Sequence, residues 1–156
     1  MHRFFAPALD PGDDIVVLPK EESEHLRRVL RLGVGDRIAV FDGRGYECLA
    51  EISGFVRRDA QVRVLRRLEP VPEPTIDITV AQAVLKGDKM DAVVRDAVML
   101  GASACQPLVA ARSETTVAAL LRGARIERWQ RVALASAKQC GRAVLPEIRV
   151  PLTLTT

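Results

Sequence analysis

The segment Glu69-Pro70-Val71-Pro72-Glu73-Pro74-Thr75 constrains this chain more than any other. Prolines at alternate positions exclude the segment from a helix and from the inside of a sheet, because each removes a backbone donor and fixes φ at about −65°. A stiff extended connector is what remains. The chain of 156 residues therefore reads as two domains, 1–70 and 75–156. With 48% apolar side chains each part can bury a core, which excludes disordered and fibrous classes.

Before the hinge the pattern is mostly that of strands. Asp14 to Leu18 reads as a strand, and Glu21 to Leu32 as a helix with acidic residues in its first turn and Gly33 past its end. Residues 37–41 and 46–52 flank Asp42-Gly43-Arg44-Gly45, a hairpin signal, and Gln61 to Leu65 alternates polar and apolar. A small β-barrel or curled sheet with one helix is the expected assembly.

After the hinge the period changes. Residues 76–84 read as a strand, Asp88 to Leu100 as a helix ended by Gly101, and Cys105 to Val109 as a second strand despite Pro107. Strand, helix, strand implies parallel pairing. A long helix follows over residues 124–139, and Glu147 to Val150 begins a third strand. On a helical wheel Ile126, Trp129, Ala133, Ala137 and Cys140 share one face, and Arg128, Arg131, Lys138 and Arg142 share the other. The expected fold class is thus α+β for the first part and α/β for the second.

Net charge is only +3, but it is unevenly placed. Residues 1–70 balance 12 basic against 12 acidic side chains, whereas residues 112–149 hold 8 against 3. A polyanion contact is therefore expected on the second part. In a parallel sheet ligands gather beyond the carboxyl ends of strands, which selects Lys86, Arg112 and Ser113, joined by Gln139 and Arg142 near the end of the basic helix.

Other chemistries are excluded by context. The glycine pairs Gly33/Gly35 and Gly43/Gly45 lack the strand-before, helix-after setting of a dinucleotide loop, and Lys86-Gly87-Asp88-Lys89 is not a phosphate-binding P-loop. Asp88 and Asp91 read as the capped, polarised start of a helix. His25 reads as helix packing or as RNA-facing. Cys48, Cys105 and Cys140 are odd in number and widely spaced, so all three are expected reduced, with no metal site. No apolar run reaches the ~18–20 residues of a membrane span, and Met1 to Pro7 is too short for a signal peptide's apolar region. The expected location is cytoplasmic.

Taken in order, these motifs resemble the bacterial 16S ribosomal RNA uridine N3-methyltransferases of the SPOUT superfamily. Met1-His2-Arg3-Phe4-Phe5 is similar to that family's opening. His25-Leu26-Arg27-Arg28-Val29-Leu30-Arg31, Gly35-Asp36 and Phe41-Asp42-Gly43-Arg44-Gly45 resemble its PUA-like RNA-binding domain. Gln82 to Asp91 resembles the start of its methyltransferase domain, continued by Arg112-Ser113, Arg128-Trp129, Gln139-Cys140-Gly141-Arg142 and Pro146. Asp96-Ala97-Val98-Met99-Leu100-Gly101 departs from the family's usual Lys-x-x-Glu-Leu-Gly pattern, replacing its charges at Asp96 and Met99.

The resemblance implies methyl transfer from S-adenosylmethionine to N3 of a uracil in 16S ribosomal RNA or the small ribosomal subunit, by a homodimer, with no metal, membrane or DNA. Family members continue into a trefoil-knot segment whose Gly-Pro-Glu-Gly-Gly loop holds the cofactor; no such loop occurs before Thr156, so the cofactor site is expected beyond it and the second domain is expected incomplete. Arginine stays protonated and cannot be the base, but it can stabilise charge on the uracil oxygens. Arg112 and Arg142 are therefore assigned to catalysis, and Arg3, Arg28, Arg31, Lys86, Lys89, Arg128, Arg131, Lys138 and Gln139 to RNA binding. The alternative at this point is a non-catalytic ribosomal RNA-binding module, truncated or degenerate.

Overall fold

In a computed structural model that describes residues 1–154, the chain divides into two compact units. The expectation attached to Thr156 falls outside the described residues. The first unit is Met1–Val71 together with Gly141–Val144; the second is Pro72–Cys140 with the chain from Leu145 onward. A linear boundary at the prolines does not anticipate the four residues that join the first unit from so far along the sequence.

The first unit is built on a five-stranded sheet. Its strands are β1 (Arg3–Phe5), β2 (Ile15–Val17), β3 (Arg37–Phe41), β4 (Glu47–Val56) and β5 (Asp59–Leu68), in the order β1-β3-β4-β5-β2. Only β1 and β3 run parallel. β1 and β2 are the edges, so the sheet does not close by strand pairing. Register shifts at Leu49/Ala50 and Ile52/Gly54 bend β4 against β5. The inward side chains Phe4, Ile38, Val40, Ile52 and Val62 close a core with Leu26. Buried Asp42 shapes the β3–β4 turn by accepting the N–H groups of Arg44 at 2.7 Å and Tyr46 at 3.0 Å.

The helix of this unit differs from expectation. α1 (Lys20–Glu24) passes into a π-helical turn over His25–Val29 and stops there, short of Leu32. Leu30 N–H bonds to the His25 carbonyl at 3.2 Å, and Leu32 N–H closes onto Leu26 at 3.1 Å, one residue wider than the usual Schellman closure. Arg31, not Gly33, takes the left-handed conformation that ends it, at φ +56°.

The second unit is a parallel sheet with helices. β6 (Thr79–Ala83) and β7 (Ala104–Val109) flank α2 (Lys89–Met99), and β7 carries on its other edge both β8 (Glu147–Ile148) and β9 (Leu152–Thr153). Pro107 is tolerated in central β7 for a geometrical reason. The Cys105 and Val109 carbonyls accept from Arg149 and Leu154, so the backbone of Pro107 faces that same side, in the gap between β8 and β9 where no N–H is required. The Gln106 amide fills the gap, donating to the carbonyls of Pro107 at 3.1 Å and Val150 at 2.8 Å.

Two helices complete the unit. α3 (Val117–Arg122), which the sequence pattern does not suggest, is capped by Thr116 accepting from Ala119 N–H at 3.1 Å. α4 (Arg125–Cys140) buries Trp129, Ala133 and Ala137, with Ile126 and Cys140 packed partly against the same core as Met90, Val94 and Leu120. The face assigned to the core is therefore the face that forms it. Asp88 precedes α2, but its side chain makes no capping bond.

Candidate functional site

The carboxyl ends of β6 and β7 open into a cavity of about 340 Å³. Past Ala83 the chain stays in the ladder for one more residue, Val84 N–H bonding to the Leu108 carbonyl at 2.8 Å, and then releases Lys86 to the rim. Past Val109 a tight turn forms: Ser113 N–H bonds to the Ala110 carbonyl at 2.9 Å, and Ala110 N–H donates back to Ser113 Oγ at 3.0 Å. That reciprocal turn presents Arg112. Lys86, Arg112 and Ser113, selected from strand ends alone, thus line one cavity.

Two charged residues of this cavity were not foreseen. Arg125, the first residue of α4, adds a third cation, and Glu114 forms an exposed ion pair with Lys86 at 3.2 Å. Arg125 is recoverable from sequence only after Gly123 is read as a break that starts a helix there. Three cations against one carboxylate suit an anionic or carbonyl-rich ligand. No cysteine lines the cavity: Cys105 lies buried in the core, where burial raises its thiol pKa, and Cys48, in the other unit, is pushed up to about 11 by burial and by the Glu47 carboxylate. All three cysteines are free, and no group of three metal-ligating side chains exists among the described residues.

The rest of the expected basic face has other occupations. Arg128 is held by Asp91 of α2, its Nε 2.7 Å from Oδ2, so it ties α4 to α2. Gln139 borders a groove of about 450 Å³ with Asp91, Arg95 and Ser136, Arg131 and Lys89 are exposed, and Lys138 is half-buried. Arg142 is not on the helix. α4 ends at Cys140, Gly141 turns the chain at φ +86°, and Arg142 is buried in the first unit, its carbonyl accepting from Arg3 Nη2 at 3.1 Å.

In the first unit Arg3 is also engaged. Its guanidinium is bidentate on Glu47 and lies 4.7 Å from the Phe41 ring centroid, a structural position that competes with a phosphate contact. Arg28 and Arg31 are exposed. His25 is exposed with its ring 6.4 Å from Phe4, consistent with helix packing.

The chain thus joins a five-stranded sheet with one short helix to a parallel α/β unit with a cationic cavity at its strand ends. Residues 71–156 match the RNA methyltransferase domain family and residues 18–65 match the RNA methyltransferase PUA domain. The chain belongs to this RNA methyltransferase family, as its motifs suggest.

Among its relatives, ribosomal RNA small subunit methyltransferase E of Synechocystis is 34% identical over 140 residues, which are 88% of this chain and 44% of that protein. The Bacillus subtilis protein of the same name is 28% identical over 82% of this chain and 50% of its own length. Among solved structures, ribosomal RNA small subunit methyltransferase E from Neisseria gonorrhoeae bound to S-adenosyl methionine superposes with a TM-score of 0.86 at 29% identity, covering 98% of this chain and 63% of that one. A Legionella pneumophila putative methyltransferase in complex with the same cofactor gives 0.87 at 27% identity, covering 97% and 62%. The chain spans about half the length of the curated relatives it matches.

Proposed function

We propose that this chain supplies the RNA-binding domain and part of the catalytic domain of an S-adenosylmethionine-dependent methyltransferase that modifies N3 of a uracil in 16S ribosomal RNA, as a homodimer in the cytoplasm. The observation that carries the reading is the cavity at the ends of β6 and β7, where Lys86, Arg112 and Arg125 converge in a chain of this family. Uracil N3 becomes nucleophilic as it loses its proton, and the resulting charge spreads over the flanking carbonyl oxygens. Arginine donors aimed at those oxygens stabilise that charge without taking the proton. Arg112 has this role; Lys86, Lys89, Arg131, Lys138 and Gln139 contact the surrounding RNA.

The cavity at the strand ends, with three cations against one carboxylate, does not fit S-adenosylmethionine. Its sulfonium is positive, and the cavity that the strand ends offer is lined by three cations. No methyl-donor step is therefore assigned to these side chains.

The test is methyl transfer to 16S ribosomal RNA by the full-length protein and its Arg112→Ala variant. The variant is expected to lose at least tenfold in turnover while RNA affinity changes by less than threefold. Equal small effects on both would remove Arg112 from catalysis. Ribosomal RNA binding without transfer in the presence of the donor would replace the enzymatic reading with a non-catalytic binding module.

A further inference from the structure

The arginines of this chain fall into two populations. Arg3, Arg63, Arg95, Arg128 and Arg149 each reach a carboxylate. In the first unit Arg27, Arg28, Arg31, Arg37, Arg57, Arg58 and Arg66 reach none among the described residues. Five of these gather at two places: Arg27 and Arg28 in the π-helical turn after α1 with Arg31 just past it, and Arg57 and Arg58 in the two-residue hairpin between β4 and β5.

The two places meet. Arg27 lays its guanidinium 4.9 Å from the Phe55 ring centroid and donates from Nη1 to the Arg58 carbonyl at 3.5 Å. Between them lies a groove of about 390 Å³ lined by Glu24, Arg27, Arg28 and Arg58. Glu24 borders this groove and Asp59 follows Arg58, yet neither forms an ion pair with these arginines. An aromatic face and a backbone carbonyl position the Arg27 charge without neutralising it.

The backbone adds a second, independent signal. Arg31 at φ +56° and Arg57 at φ +60° are the only non-glycine residues in the left-handed region among those described. Arg57 occupies the hairpin position that glycine ordinarily fills. A long cationic side chain kept where its own backbone is disfavoured points to use of the side chain. Of the groove's lining residues three are arginine and one, Glu24, is acidic, so the patch is locally cationic although residues 1–70 balance overall.

We infer that this groove binds the phosphate backbone of RNA, with its lining residues Arg27, Arg28 and Arg58 as the contacting cations, Arg57 beside them in the hairpin, and Phe55 as the ring that fixes Arg27. The inference rests on the RNA-directed reading above and assigns the first unit its own contact surface. Closely set guanidinium groups match a ligand bearing one negative charge per nucleotide and can meet phosphate bidentately. Because the Phe55 face is already covered by Arg27, the groove reads charge and not base identity.

The experiment measures binding of deproteinised 16S ribosomal RNA by the full chain over a range of salt concentrations, for wild type, the triple variant Arg27→Ala/Arg28→Ala/Arg58→Ala, and an ion-paired control, Arg149→Ala. Each lost phosphate contact lowers the slope of log affinity against log salt by roughly 0.7–0.9. The triple variant is expected to lower the slope by about 2, and the control to leave it unchanged. A wild-type slope in a triple variant that melts like wild type overturns this groove while leaving the RNA reading intact. No RNA binding by wild type overturns both. Competition by poly-glutamate as strong as that by RNA, at equal charge, would reassign the groove to an acidic protein partner.

Discussion

Arg3 Nε and Nη2 meet the two carboxylate oxygens of Glu47 at 2.8 and 3.0 Å, and both side chains are almost wholly enclosed, at 14% and 7% exposure. The pair ties β1 to β4 across the intervening β3, and the same guanidinium reaches the Arg142 carbonyl. Removing one partner of such a pair leaves the other charged and buried, which typically costs about 3 kcal/mol. Arg3→Ala is therefore expected to lower unfolding free energy by about that much in urea titration. Its salt slope for RNA binding should match wild type; a lower slope would show that Arg3 contacts phosphate after all.

Arg128 and Asp91 pose the same question on a more open surface. An exposed ion pair contributes about 0.5 kcal/mol. Here the second carboxylate oxygen of Asp91 is buried without a hydrogen-bond partner, so the group depends on Arg128 for compensation. Arg128→Ala is expected to destabilise by about 1–2 kcal/mol, and the double variant Arg128→Ala/Asp91→Ala by less than the single one. Additive losses in that cycle would show that the two do not act as a unit.

The contrast between these two arginines and Arg112 shows what could be read from the sequence. Strand ends are local features, and the residues that follow them, Lys86, Arg112 and Ser113, line one cavity. Partners are not local. Glu47 lies 44 residues from Arg3 and Asp91 lies 37 from Arg128, so nothing in the pattern separates an employed arginine from an available one. The π-helical turn was equally hidden, because Leu26 and Leu30 have the spacing of an ordinary helix. Arg142 was misplaced onto the helical wheel although Gly141, a favoured C-terminal stop, stands before it. α3 is six residues long and carries one local cue, the capping Thr116.

Cys48 supplies a pH dependence. Burial, followed by the neighbouring Glu47 carboxylate, raises its thiol from 9.0 to about 11 in the folded chain. Between those values the unfolded chain has lost the proton and the folded chain retains it, so the folded state binds more protons and stability falls as pH rises. The loss begins near pH 9 and by pH 11 is on the order of 2 kcal/mol. Cys48→Ala is expected to flatten this decline, measured as urea midpoints at pH 8 and 10.5. The same decline in the variant would assign it to another group.

Arg57 gives a test in which stability and binding move in opposite directions. A non-glycine residue in the left-handed region costs about 1–2 kcal/mol, and a glycine there loses about 0.5–1 kcal/mol in added unfolded-chain freedom. Arg57→Gly, at φ +60° in the exposed β4–β5 hairpin, is therefore expected to raise unfolding free energy by about 0.5–1 kcal/mol. If the groove binds phosphate, the same change weakens RNA binding and lowers its salt slope by roughly one contact. Thermal melting and RNA titration of this single variant read both effects. A more stable protein with an unchanged slope would mean that the arginine is strained without use.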